Sequence, residues 1–355
     1  MSFLYSNFPP VRTNRLTYSQ AFRDLLKLSD EINIATGYIS TDSLVDLASV
    51  VEANGKPRLN LCVGMHYFEG VTPTQKEALD KLNDVLKSRG LGGVYINVSF
   101  PYHGKIASFK ADDQVLASIV GSSNLSNIIV GGPRQYEVDY LFEGDTEESR
   151  EASEFIASLI EKSSKPLNDV DLRIVVEKNE LLNDQYGVEQ ATTSELNEAR
   201  GSLSGLKFEL PLKADETPGS NINKHFGKGR ENVQGFVTPR SWYEVELIVP
   251  RSITTLPGYP QADSYGEGGC FSVITDDGWK FDCKVSGTNS KNICSDGDMK
   301  ILGKWLKGRL ERAGILKPGE RVTDDMLGRY GRNTITMTKV AGQDNLWFFD
   351  FGDNN

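Results

Sequence analysis

The chain has 355 residues, 38% hydrophobic and 25% charged, with 49 acidic side chains against 39 lysines and arginines and a formal charge of −10. This excludes a single small module and describes a soluble polypeptide with room for two domains, since no run approaches the roughly 20 apolar residues that span a bilayer. The start MSFLYSNFPPVRTNR lacks the apolar core and cleavage site of a signal peptide, giving a cytoplasmic expectation; Cys62, Cys270, Cys283 and Cys294 lack CxxC spacing, against a disulfide scaffold or zinc site.

In chain order, YSQAFRDLLKL predicts a helix over Tyr18–Leu28 and a strand over Glu31–Tyr38. Ser40 and Thr41 cap a helix over Asp42–Glu52, followed by a strand at Arg58–Gly64, a helix at Gln75–Lys87 and a strand at Val94–Phe100. Extended runs follow at Lys105–Lys110, Val115–Val120 and Val138–Phe142, the first two joined by a hairpin at Ala111–Gln114. Helices between strands imply an α/β layer whose sheet is parallel in part and antiparallel toward the edge. An acidic helix from Asp145 to about Ile160, with Phe155, Leu159 and Ile160 at helical spacing, closes a first domain over residues 1–165.

Residues 166–203 mix acid, Ser, Thr and Asn with few apolar anchors and read as an acidic linker. Beyond it, residues 204–355 carry short extended runs (KFELPL, YEVELIVP, CFSVITDD, WKFDCKV, NTITMTKVA, LWFFDF) broken by Gly, Pro, Asn and Asp. One helix interrupts them, Met299–Ala313, with Leu302, Trp305, Leu306, Leu310 and Ala313 on one face. The pattern is that of a mainly β pseudobarrel with a packed helix.

A charge of −10 argues against nucleic acid only if it is evenly spread. From Asp145 to Arg200, fourteen acids face six bases, a balance of −8, which leaves the rest of the chain near neutral. Basic surfaces on either side of that stretch remain compatible with the composition.

The histidines are His66, His103 and His225. His103 begins an HGK triplet, and Lys105 shares its side of a strand. GSSN follows at the end of the next strand with Ser122 and Asn124, and Glu137 lies thirteen residues beyond Asn124 at the start of another. These five side chains suit one phosphate. A neutral imidazole attacks phosphorus, a carboxylate holds its far nitrogen, and Lys105 and Asn124 donate to the non-bridging oxygens, with no metal or other cofactor required for the cleavage.

HxK followed by GSxN resembles the phospholipase D superfamily, matched here by His103, Lys105, Ser122 and Asn124 over roughly residues 1–160. The motif's Asp is absent, Lys110 standing at its position, as in the superfamily's restriction nucleases, which also carry a Glu after the Asn. The resemblance implies that the histidine of a second motif protonates the leaving oxygen. One copy of the motif therefore implies a homodimer, with both His103 residues at one composite site. His66 lacks a following Lys and is a weak internal substitute.

Two segments of the C-terminal half have the composition of exposed arms. GSNINKHFGKGRENVQGFVTP carries Asn221, Asn223, Lys224, Lys228 and Arg230; KVSGTNSKNICS carries Thr288, Asn289, Ser290, Lys291 and Asn292. These residue types read base edges in a major groove. Arg240, Lys300 and Lys304 are expected to contact phosphates, because Lys284–Arg312 holds seven bases against three acids. With PRSWYEVELIVP and GKWLKGRLERAGIL, these arms resemble the B3-like DNA-recognition domain of certain restriction endonucleases.

A phospholipase D-like domain followed by a B3-like domain is similar to restriction endonuclease subunits of the NgoAVII and CglI type, and more distantly to BfiI. The resemblance implies double-stranded DNA as substrate and a separate helicase-like ATPase subunit as partner. ATP and Mg would enter only through that subunit, since this sequence has no GxxxxGK[ST]. The alternatives are a catalytically silent DNA-binding regulator and a lipid phosphodiesterase, the latter disfavoured by the lack of a basic amphipathic membrane face.

Overall fold

Aliphatic and β-branched runs alternating with capped amphipathic helices build the first of two units, Met1–Lys178 with Lys228–Pro239; the second is Asn179–Gly227 with Arg240–Asn355. The computed structural model describes residues 1–125, 135–175, 181–183, 185–214, 221–262 and 269–352. The first unit runs β1 (Ser2–Tyr5), α1 (Tyr18–Leu28), β2 (Glu31–Thr36), α2 (Thr41–Asn54), β3 (Arg58–Val63), the short α3 (His66–Glu69), α4 (Pro73–Ser88) and β4 (Gly92–Asn97). It continues with β5 (Lys105–Ala111), β6 (Gln114–Gly121), β7 (Val138–Glu143), α5 (Glu147–Ser163) and β8 (Ser164–Pro166). Thr17, Thr72 and Thr146 start α1, α4 and α5 through capping boxes, and Ser40 caps α2.

The eight strands form one sheet in the order β1-β7-β6-β5-β2-β3-β4-β8. Only β2–β3 and β3–β4 are parallel, so the centre is an α/β layer and the flank an antiparallel meander, as the sequence predicts. Asp112 and Asp113, both at positive φ, make the two-residue hairpin between β5 and β6. On one face α5 lays Ile156 and Leu159 onto Ala35, Cys62 and Tyr102. On the other, Phe22 of α1 meets Phe109 of β5 edge-to-face at 5.1 Å. This packing holds the ends of β2, β5, β6 and β7 at one rim.

Residues 166–203, expected as a connector, carry secondary structure that belongs to both units. β8 pairs with β4, and Ile174 bridges Val71. In the second unit β9 (Val188–Gln190) pairs with a later strand, and α6 (Thr193–Gly201) packs Ala199 against Ile274, Val340 and Phe348. The acids here have structural work: Glu195 closes the α6 capping box and, with Glu189, pairs with Lys280. The hairpin β11 (Gly229–Glu231) and β12 (Val237–Pro239) belongs to the first unit, where the Asn54 side chain at the end of α2 exchanges two hydrogen bonds of 2.8 and 2.6 Å with the Val237 backbone.

The second unit continues with β10 (Leu203–Pro211), β13 (Leu247–Ile248), the short α7 (Arg251–Thr254), β14 (Cys270–Thr275), β15 (Trp279–Ser286) and β16 (Asn292–Ser295). α8 (Lys300–Arg312), α9 (Asp324–Tyr330), β17 (Thr334–Val340) and β18 (Leu346–Asp350) complete it. The sheet order is β10-β17-β18-β14-β15-β16-β13, with β14 and β18 parallel and β9 on β15. Trp305 of α8 is the aromatic hub, its ring near Phe281, Phe349 and Phe351 and its indole N–H on Asp277 at 2.9 Å.

α8 corrects two expectations. It is buried around most of its circumference rather than on one stripe, and Gly303 lies where any Cβ would strike the Tyr243 carbonyl. Lys300 and Lys304, expected on phosphates, are 4% and 2% exposed; Lys304 donates to Gln185 at 3.1 Å, and Lys300 lies 3.7 Å from Asp298. Among the described residues no helix is long and apolar enough to cross a membrane.

Lys307 is fully buried, its ammonium on the Trp242 carbonyl and 4.7 Å from the Trp242 ring centroid. Desolvation pushes its pKa down to about 7, Glu311 opposing. The unfolded chain therefore binds one more proton between about pH 7 and the usual lysine range, so this group makes stability rise with pH across that window. Thermal melts from pH 7 to 10 should show a rise in Tm for the wild type that is flattened in Lys307→Met; parallel profiles would contradict the assignment.

Candidate active site

Four strand ends bring the HGK and GSSN residues together. Thr36, the last residue of β2, is paired with Lys105, the first of β5; at the next strands Gly121 at the end of β6 is paired with Asp139 of β7. His103 stands two residues before β5. The Lys105 ammonium donates to the His103 carbonyl at 2.7 Å and lies 3.2 Å from each ring nitrogen. Gly104, between them, sits over the Tyr102 phenol, where a Cβ would lie 2.4 Å from its oxygen; Gly37 likewise leaves room for the His103 ring.

The GSSN turn is fixed by a buried carboxylate. Asp139, 2% exposed, accepts the Ser123 N–H at 2.9 Å and the Ser123 hydroxyl at 2.6 Å. Gly121 has to be glycine because a Cβ there would lie 2.2 Å from that carboxylate. Burial raises the Asp139 pKa, and the Ser123 bonds oppose the rise. With Ser123 turned inward, its neighbours turn outward. Ser122 donates to the Glu137 carboxylate and accepts the Val138 N–H at 3.0 Å. The Tyr38 N–H donates to Asn124 Oδ1 at 3.2 Å, which fixes the amide orientation and leaves Nδ2 as a donor with no partner among the described residues.

The structure brings His103, Lys105, Ser122, Asn124 and Glu137 to one rim, with one difference from the expected arrangement. Glu137 was expected to hold the far nitrogen of His103; its carboxylate instead reaches Ser122 and acts electrostatically on Lys105. Burial lowers the Lys105 pKa, and the Glu137 charge opposes that fall. Lys110, at the place of the superfamily's Asp, is 3.6 Å from Glu31 near the far end of β5.

Tyr38 and Asp139 join this set without having been singled out in the sequence. The Tyr38 ring stands edge-on to His103 at 5.5 Å and to His66 at 5.6 Å, and its hydroxyl donates to Glu69 at 3.0 Å. Alternation would have found Asp139, an acid at an inward position of an apolar strand. His66 is tied to the backbone: Nδ1 donates to the Gly70 carbonyl at 2.7 Å, so Nε2 is the acceptor facing the Ile39 N–H at 3.4 Å. Among the described residues no group of three or more His, Cys, Asp or Glu side chains forms a set that could hold a metal ion.

The residues expected to read DNA divide sharply. Asn221 is buried, bonded to the Lys213 and Ile222 N–H groups and the Pro211 carbonyl; Asn223 joins Ala214 to Val322 in the same way. Their donors and acceptors are spent on backbone, so neither presents an edge to a base. Lys224 pairs with Glu246, Arg240 with Glu244, and Ser290 is buried beneath Ala262 and Tyr259. Asn292 lies half-buried in β16 opposite Ile248. Thr288, Asn289 and Lys291 are exposed at the β15–β16 turn, where Asn289 and Ser290 both adopt positive φ; Lys228 and Arg230 are exposed on the β11–β12 hairpin.

Among curated proteins none matches the chain. A solved structure that matches is phosphatidylserine synthase from Haemophilus influenzae Rd KW20, at 19% identity and a TM-score of 0.35, over 48% of this chain and 41% of that one. The match thus spans about two fifths of that enzyme. Two family models match in tandem: the NgoFVII restriction endonuclease N-terminal PLD domain over residues 14–172 and the NgoFVII C-terminal B3-like DNA-binding domain over residues 199–341. With the HxK and GSxN residues at one rim of the first unit and a mainly β second unit, the chain belongs to the NgoFVII restriction endonuclease family, its PLD domain followed by its B3-like DNA-binding domain.

Proposed function

We propose that the enzyme cleaves DNA site-specifically through a phosphohistidine, without a divalent metal at the reacting phosphate. A neutral His103 nitrogen attacks phosphorus as the P–O bond to the leaving strand end breaks; water then cleaves the P–N bond, leaving a phosphate monoester and free His103. Lys105 and the Asn124 Nδ2 donor stabilise charge on the non-bridging oxygens, Glu137 keeps Lys105 charged and Ser122 oriented, and Tyr38 walls the imidazole. The observation that carries this reading is the outward Asn124 donor on the same rim as the His103–Lys105 pair.

The leaving oxygen needs a proton, and His66 is committed to backbone. The reading supplies it from the same histidine of a second copy, in a homodimer. Target search belongs to Thr288, Asn289 and Lys291 of the second unit, with Lys228 and Arg230 as further contacts. ATP and Mg act only through a separate helicase-like ATPase subunit, and the complex works in the cytoplasm.

On plasmid DNA, His103→Ala should lose cleavage by about a thousandfold or more while retaining DNA binding in gel shifts; wild-type cleavage would remove the nucleophile. Nicking by the chain in EDTA, without the ATPase, should equal that in magnesium. Removing the Glu137 charge takes away what raises the Lys105 pKa, so Glu137→Gln should move the alkaline limb of the pH–rate profile to lower pH; an unmoved limb would separate the two groups. Asn289→Ala should weaken specific binding with Tm unchanged, whereas Asn221→Ala should cost about 1–3 kcal/mol of stability; the reverse pattern would return Asn221 to the DNA surface.

A further inference from the structure

The carboxylate of Glu137 reaches Ser122, and its backbone is held on the other side by the residue that follows the neighbouring edge strand β1. The β1–β7 ladder ends with Tyr5 opposite Val138, so Glu137 lies one residue beyond it. There Ser6 takes over. Its N–H donates to the Glu137 carbonyl at 3.2 Å, its hydroxyl oxygen accepts the Glu137 N–H at 2.9 Å, and its hydroxyl proton goes to the Gln135 carbonyl at 3.1 Å. Both the donor and an acceptor of the hydroxyl are used, one on each side of Tyr136. Tyr136 in turn packs its ring at a tilt against Phe8, centroids 4.4 Å apart, donates its hydroxyl to the Phe8 carbonyl at 3.0 Å, and accepts the Val11 N–H at 3.1 Å.

We infer that Ser6 is a positioning residue of the active site: through the backbone of Gln135 and Glu137 it sets the height at which the Glu137 carboxylate meets Ser122 and faces Lys105. The inference rests on the role given to Glu137 in the proposed reaction and extends the site to the start of the chain, 131 residues away. One strand residue rises about 3.3 Å, so slippage by a fraction of a step breaks a hydrogen bond that must stay within about 3.2 Å. Alanine at position 6 keeps the N–H to Glu137 and removes both hydroxyl bonds; threonine retains a hydroxyl at the same atom.

The test uses the full chain, with hydrolysis of bis(p-nitrophenyl) phosphate reporting the chemistry independently of DNA recognition. Ser6→Ala should lower kcat about ten- to a hundredfold with KM unchanged, and move the alkaline limb in the direction of Glu137→Gln. Ser6→Thr should restore both, and Ser6→Ala in the Glu137→Gln background should add nothing. NMR of ¹³C-dimethylated lysines, assigned with Lys105→Arg, gives a readout without turnover: Lys105 should titrate at lower pH in Ser6→Ala. An unmoved Lys105 titration, an additive double variant, or failure of Ser6→Thr to restore the limb would overturn the inference. If Glu137→Gln acts and Ser6→Ala does not, Ser6 alone is dismissed; if Glu137→Gln itself leaves rate and limb unchanged, the role of Glu137 fails and that of Ser6 with it.

Discussion

The arrangement at the rim depends on one buried carboxylate. Asp139 takes both the amide and the hydroxyl of Ser123, and it can do so only because Gly121 has no side chain to hold it away. Turning Ser123 inward forces Ser122 and Asn124 outward on either side, the first toward Glu137 and the second toward the Tyr38 amide. A buried, hydrogen-bonded carboxylate is costly to form and more costly to break, since removing its partners leaves an unsatisfied charge in the sheet. The result is rigidity at the rim, where donors fixed in advance need not reorient when a ligand binds.

The first unit was largely legible because its signals are local. Capping threonines, the Asp112–Asp113 turn and apolar periodicity fall where the helices and strands begin and end, and HxK with GSxN marks two strand ends. The finer geometry was not legible because it is set across the sheet. Glu137 reaches Ser122 rather than His103, and residue type alone cannot choose between those acceptors. Tyr38 contributes a backbone N–H, which every residue but proline carries, so nothing in its identity announced that role.

The second unit was harder to read, because polar residues that suit base edges suit buried backbone equally well. Asn221 and Asn223 have the donor–acceptor pairs that read adenine, and they spend them holding distant backbone segments together. Charge counts mislead for the same reason. Of the seven bases between Lys284 and Arg312, Lys284, Arg309 and Arg312 pair with Asp296, Asp276 and Asp277, and Lys300, Lys304 and Lys307 are buried. Lys291 is the exposed cation left without an ion pair among the described residues of that stretch. A window of net +4 is thus a packed helix and a set of surface pairs, with one charge at a turn.

The hairpin formed by β11 and β12 bears on how such an enzyme could be taken apart. By sequence it falls well inside the DNA-binding half, yet it is counted with the first unit, where the Asn54 amide closes on Val237. The polypeptide therefore passes from one unit to the other three times instead of once. An exchange of everything after residue 203 would also remove the twelve residues 228–239 that count with the first unit, and with them the Val237 backbone that pairs with the Asn54 amide. A replacement of the second unit that spared the first would therefore have to keep residues 228–239 in place.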